Sequence, residues 1–287
     1  MWQLPGEELD RVVKNALGED VGRGDWTTLA TVPAEREAEA VIFFKEEGVV
    51  AGLPVAARVF TLVDPAVSFL PMVKEGEEVA AGQEVAHIKG PARALLTGER
   101  TALNFLQHLS GIATRTRRLA VLIADTGARL VDTRKTVPGM RLLAKYAVAV
   151  GGGGNHRLGL DDGILIKDNH IKAAGGIAAA VKRARVLAPH TLRIEVECET
   201  MAQVREALQA GADIIMLDNM SPEQVREAAR LVAGRALIEV SGGITEENIR
   251  AMALAGADLI SVGALTHSVR AVDISMEIVA VREESEG

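Results

Sequence analysis

The chain has 287 residues, room for one large domain or two unequal ones with an ample core. Hydrophobic residues make up 48%, yet no run approaches the roughly 18 apolar residues of a membrane span. A net charge of −7 with 3% aromatics offers neither the basic field nor the stacking platforms of a nucleic-acid binder. Cys198 is the single cysteine, which excludes an internal disulfide or an all-cysteine metal site and fits a reducing cytoplasm.

Met1–Leu17 carries acidic residues where a secretory signal would be basic. Leu9, Val12, Val13, Ala16 and Leu17 fall at helical spacing, so a helix is expected there and not a targeting segment. Up to about residue 100 no regular strand–helix alternation follows. Strand-like pieces stand at Ala38–Phe44, Val49–Gly52 and Val67–Leu70, with a helix over Pro54–Leu62. Lys74–Val85 reads as turns between short strands, with a G-x-x-V-x-x-G spacing also found in lipoyl and biotinyl carriers. Lys74 and Lys89 lack the hairpin-tip setting of a modified lysine, so the reading is an α+β domain without chemistry of its own.

From Thr97 to Asp125 the pattern is helical, with Leu103, Leu106, Leu109 and Ile112 on one side. Arg100, Arg115, Arg117 and Arg118 on this helix read, by composition, as surface residues. From Ala128 onward strand and helix alternate. Six short apolar runs, Ala128–Val131, Gly163–Ile166, Leu192–Val196, Asp213–Leu217, Ala236–Val240 and Leu259–Val262, suit parallel strands buried on both faces. Thr200 with Gln203, and Ser221-Pro222 with Gln224, predict capped helix starts. Thr245 before Glu246 and Glu247 predicts a third, and Gly211, Gly234 and Gly256 predict helix ends. Such repeated units make a barrel or a doubly wound sheet.

In parallel α/β folds chemistry gathers where strands end at their carboxyl termini. Those exits are polar throughout: Asp132/Arg134/Lys135, Lys167, Glu195/Glu197, Asp218/Asn219, Ser241-Gly242-Gly243 and Gly263. The stretch from Asp132 to Ile171 gathers Arg134, Lys135, His156, Arg157 and Lys167 around Gly151–Gly154, a cationic segment in an acidic protein, and points to an anionic ligand. Ser241-Gly242-Gly243 and Gly263-Ala264 are two late glycine loops of the kind that cradle phosphate, with His267 close by in sequence. Glu197 and Asp218 suit sugar hydroxyls, Mg²⁺ or acid–base work. Glu195 lies deeper on the same strand face as Glu197 and is expected to pair with a buried lysine. Cys198 has no neighbouring base and reads as packing.

DTRKT at 132–136, GGGGNHRLGL at 151–160 and LIKDNHI at 165–171 resemble the quinolinate phosphoribosyltransferase family, the decarboxylating nicotinate-nucleotide pyrophosphorylases. The likeness continues in EDVGRGDWTT, GERTALNFLQHLSGIAT, IEVECET, MLDNMSPEQV, EVSGGIT and SVGALTHS, in family order over nearly the whole chain. It implies an incomplete, open α/β barrel of about seven parallel strands over 109–268. It also implies an N-terminal α+β domain over 1–108, joined by the C-terminal tail, 269–287.

The implied activity is transfer of phosphoribosyl from phosphoribosyl pyrophosphate to quinolinate with loss of CO₂, in NAD biosynthesis, by a cytoplasmic homodimer. Arg134, His156 and Arg157, with Arg100 entering from the partner subunit, are implied around the dicarboxylate, with Thr133 among the substrate-binding residues. Lys135 and Lys167 are expected to bridge carboxylate and diphosphate. The resemblance implies Glu197 and Asp218 near ribose and Mg²⁺, and Ser241, Gly242, Gly243, Gly263, Ala264 and His267 are expected to hold phosphate. Rival readings are a molybdenum-transport-associated paralogue, a phosphoribosyltransferase that takes nicotinate without decarboxylation, and a non-catalytic phosphate-binding barrel. The last would not need both the glycine loops and the separate cationic stretch.

Overall fold

The structure is a computed structural model and describes residues 4–282. In chain order its elements begin with α1 (Gly6–Val21), α2 (Trp26–Thr31), β1 (Glu37–Phe44), β2 (Gly48–Val49), α3 (Leu53–Val63) and β3 (Ser68–Pro71). Then come β4 (Glu78–Val79), β5 (Glu84–Pro91), α4 (Ala92–Leu122), β6 (Arg129–Val131), α5 (Arg141–Val150), β7 (Ile164–Ile166) and α6 (Asp168–Ala174). The remainder are α7 (Ile177–Leu187), β8 (Ile194–Cys198), α8 (Met201–Ala210), β9 (Ile214–Asp218), α9 (Pro222–Val232), β10 (Leu237–Ser241), α10 (Ile249–Leu254), β11 (Leu259–Ser261), α11 (Ala264–His267) and β12 (Ile274–Arg282). Among the described residues two compact units form: 4–117 with 137–152 and 268–282, and 118–136 with 153–267.

The first unit is built on an antiparallel sheet in the order β12-β1-β5-β3. The returning tail is a strand of this sheet, paired from Glu37 opposite Arg282 to Phe44 opposite Ile274. Residues 283–287 of the expected tail, and Met1, Trp2 and Gln3 of the expected first helix, lie outside the described residues. The expected division at residue 108 and the observed one after Arg117 both fall inside the single helix α4. Val137–Gly152, expected with the barrel, belongs to the first unit. There the Tyr146 hydroxyl on α5 donates to Glu75 at 2.6 Å. Gly151 approaches α4 so closely that a Cβ would stand 2.5 Å from the Ala113 carbonyl oxygen.

The second unit is a parallel sheet in the order β6-β11-β10-β9-β8-β7. The expected count of seven strands is reduced to six, and the seventh survives as a single parallel bridge between Val131 and Gly154. Three glycines precede that bridge and supply no side chains to pack, which keeps it short. The sheet curls. A flat sheet with strands about 4.8 Å apart would hold the edge at Gly154 roughly 24 Å from β8. Instead His156, just beyond that edge, has Nε2 3.1 Å from Glu195 of β8 and 3.6 Å from Glu239 of β10.

Both expected capping boxes form: Thr200 accepts from the Gln203 N–H and Ser221 from that of Gln224. Gly211 closes α8 in the left-handed conformation. The start expected at Thr245 is displaced: α10 begins at Ile249 because a turn intervenes, in which the Asn248 side chain accepts the Thr245 N–H at 2.8 Å.

Candidate active site

The strands of the second unit deliver the polar groups to one end of the sheet. After β6 the chain turns at Asp132, a fully buried carboxylate that accepts Asn155 Nδ2 and the backbone N–H of His156, each at 2.8 Å. Asp132 thereby ties the glycine-led segment to β6 and fixes where His156 and Arg157 begin. His156 Nδ1 accepts the Arg157 N–H at 2.7 Å, so the ring proton resides on Nε2, toward Glu195. Both ring nitrogens thus have protein partners.

Arg157 is half-buried and donates through Nη1 to the Gly163 carbonyl at 2.7 Å, while its Nε is buried without a hydrogen-bond partner. Burial, and next the Arg134 guanidinium, loosen its hold on its proton, opposed by Glu195 and Asp162. Two half-buried guanidiniums close enough to repel one another are stabilised by an anion placed between them.

Lys135 is exposed, its N–H donating to the Thr133 hydroxyl at 3.1 Å and its carbonyl accepting from Thr266 Oγ1 at 2.7 Å. Its stem lies over the loop after β11: a Cβ at Gly263 would meet Lys135 Cδ at 3.0 Å and His267 Cδ2 at 3.2 Å. That glycine brings Lys135, Ala264 and His267 to one place. After β7, Lys167 is exposed and ion-paired with Glu197 of β8. Asp218 ends the adjacent strand β9, and its Oδ2 accepts Asn219 Nδ2 at 2.9 Å. Ser241 ends β10 beside it, in register with Asp218, and Gly242 and Gly243 follow.

Every predicted site residue except Arg100 is therefore in the second unit at the carboxyl ends of its strands. Arg100 is an exposed residue of α4 in the first unit. At helical spacing from it, Asn104 and His108 line a cleft with Arg11 and Asn15 of α1.

Glu195, expected beside a buried lysine, lies 3.1 Å from His156 Nε2. The cluster of His156, Glu195 and Glu239 brings ligand atoms within 4.8 Å of one another. Glu239 was missed by the sequence reading, although the run Ile-Glu-Val occurs twice, at 194–196 and 238–240, and puts a carboxylate inside both strands. Burial, and next the charge of Glu195, push the Glu239 carboxyl up to about 7. Cys198, buried beside Glu197, is pushed up to about 12 by burial and acts as packing.

Residues 112–277 match the model of the quinolinate phosphoribosyl transferase C-terminal domain, and residues 25–110 that of the N-terminal domain. The chain belongs to the quinolinate phosphoribosyltransferase family. It is 47% identical over 279 residues to the probable nicotinate-nucleotide pyrophosphorylase [carboxylating] of Bacillus subtilis, covering 97% of this chain and 96% of that one. It is 43% identical over 293 residues to the chloroplastic nicotinate-nucleotide pyrophosphorylase [carboxylating] of Arabidopsis thaliana, covering 96% and 84%. The crystal structure of NadC from Streptococcus pyogenes superposes with a TM-score of 0.94 at 45% identity, over 99% of this chain and all of that one. The open barrel with a separate antiparallel sheet is thus the quinolinate phosphoribosyltransferase architecture. Among the described residues no helix is long and apolar enough to cross a membrane.

Proposed function

We propose that this chain transfers the phosphoribosyl group of phosphoribosyl pyrophosphate to quinolinate and releases CO₂, the reaction named for its relatives. The observation that carries this reading is the pair Arg134 and Arg157, mutually repelling and half-buried, at the end of the sheet that also bears two glycine loops and the carboxylates Glu197 and Asp218. A dicarboxylate relieves the repulsion, and the loops suit phosphate.

The pyridine nitrogen forms a bond to the anomeric carbon as the bond to the diphosphate oxygen breaks, and diphosphate leaves with the electron pair. Positive charge grows on the ribose, where Glu197 and Asp218 offset it, while Lys135 and Lys167 stabilise charge on the leaving group. The ring nitrogen is then cationic, so the bond to the neighbouring carboxylate breaks with its electrons drawn into the ring. A proton replaces the departing CO₂. Arg134, His156 and Arg157 hold the ring through its carboxylates, and Ser241, Gly242, Gly243, Gly263, Ala264 and His267 hold the ribose phosphate.

Glu197, already paired with Lys167, and Asp218, with one oxygen taken by Asn219, form a sparse donor set. That suits Mg²⁺, which binds through one or two carboxylates together with substrate phosphates and water. When bound it supplies charge neutralisation at the diphosphate.

We place the enzyme in the cytoplasm, where a lone cysteine stays reduced, and as a homodimer in which the exposed Arg100 completes the dicarboxylate pocket of the second copy. The test mixes purified protein, Mg²⁺ and phosphoribosyl pyrophosphate with either quinolinate or nicotinate. Release of CO₂ and diphosphate with quinolinate is expected. Diphosphate from nicotinate alone, without CO₂, overturns the reading in favour of a non-decarboxylating transferase. Arg134→Ala is expected to lower kcat/KM for quinolinate by about 2–4 kcal/mol of transition-state stabilisation.

A further inference from the structure

We propose that Asn219 is a positioning residue that sets the Asp218 carboxylate and the Ser241–Gly243 loop relative to one another, so that the phosphoribosyl donor meets both in one geometry. This rests on the proposed function and gives a role to Asn219, a strand-exit residue that the sequence reading left without one.

Asn219 and Ala233 are the non-glycine residues with positive φ among those described, at 54° and 50°. Ala233 closes α9, an ordinary place for the left-handed conformation. Asn219 closes no helix. It follows β9 directly, at the end of the sheet where the site lies. Asparagine tolerates this conformation better than other L residues with a Cβ, and such conformations gather where geometry is functional.

The side chain and backbone then make contacts on both sides. Nδ2 donates to Asp218 Oδ2 at 2.9 Å, which commits one carboxylate oxygen and fixes the rotation of the carboxylate. The backbone N–H donates to the Ser241 carbonyl at 2.9 Å, extending the β9–β10 ladder by one residue. Gly242 has φ 89°, and a Cβ built on it would lie 2.3 Å from Asn219 Oδ1 and 2.6 Å from Cγ. The Asn219 amide thus occupies the volume that any side chain at 242 would need. From the other side Asn248 Nδ2 donates to the Gly243 carbonyl at 2.8 Å, so the loop is held at both ends. A donor that bridges ribose and phosphate reads the distance between Asp218 and this loop, and Asn219 sets it.

The test compares wild type with Asn219→Gly, which keeps the left-handed backbone and removes the side chain. The KM for phosphoribosyl pyrophosphate, and its Kd by calorimetry, are expected to rise about tenfold, the loss of one hydrogen bond to a charged group. The KM for quinolinate should stay within about twofold, since the dicarboxylate lies on other residues. Asn219→Asp, of the same size but without the donor, supplies a second measurement should the glycine variant fold poorly, and is expected to move the same constant. Unchanged donor affinity in a folded variant overturns the proposal. So does an equal rise for both substrates, the mark of a general structural role. Wild-type protein that binds the donor but forms no nicotinate mononucleotide overturns the proposed function instead, and leaves the calorimetric comparison at Asn219 decisive for the inference.

Discussion

Glu239 sits 1% exposed in the middle of a parallel strand, 3.6 Å from the His156 ring. Transfer of a carboxylate from water to such a place is unfavourable unless it is paired or protonated. Its Oε1 accepts no hydrogen bond, and neither does Oε1 of Glu195. Since the folded-state value is raised from 4.5 to about 7, the native state holds this proton more tightly than the unfolded chain. The stabilising contribution is complete below 4.5 and fades as pH rises through about 7. Glu239→Gln, neutral at all pH, is therefore expected to match wild type in Tm near about pH 5 and to exceed it near about pH 8. Parallel Tm curves for the two proteins across that range would show that Glu239 does not titrate there.

Helix α5 shows how an element can be clear while its placement is not. Leu143 to Val148 are buried without interruption, so the helix has no solvent-facing stripe from which to read its orientation. Its side is settled by Tyr146, whose hydroxyl reaches Glu75. The Glu75 carboxylate also accepts the N–H groups of Gly52 at 2.9 Å and Leu53 at 2.7 Å, serving the N-terminal end of α3. Burial pushes Glu75 up, and these three donors oppose it. Tyr146→Phe removes one donor from a buried acceptor and keeps the ring's volume. It is expected to lower stability by about 1–3 kcal/mol, read as an earlier urea midpoint at unchanged m. An unshifted midpoint would mean that the contact contributes nothing net.

At the scale of the molecule, the dimer we propose would complete each pocket with a residue of the second copy. Arg100 belongs to the first unit and all its predicted companions to the second. Arg100→Ala and Lys135→Ala proteins, each weakly active alone, are expected to recover part of the wild-type rate after mixing and subunit exchange. The recovery would come from the hybrid dimer, which retains one site carrying both native residues. Full exchange without recovery would place Arg100 outside the pocket.

Several features were legible along the chain because they depend on neighbours a few residues apart. The apolar runs from Ala128 onward became β6 to β11, the caps at Ser221 and Thr200 formed as spaced, and the cations stand at strand ends because parallel strands all exit on one side. Curling of the sheet determined the rest. It draws His156 to Glu195 and Glu239, while the pairing of β9 with β10 sets the Asn219 amide over Gly242. These residues are far apart in sequence or unremarkable singly, and no local period encodes a closure that depends on how whole strands pack.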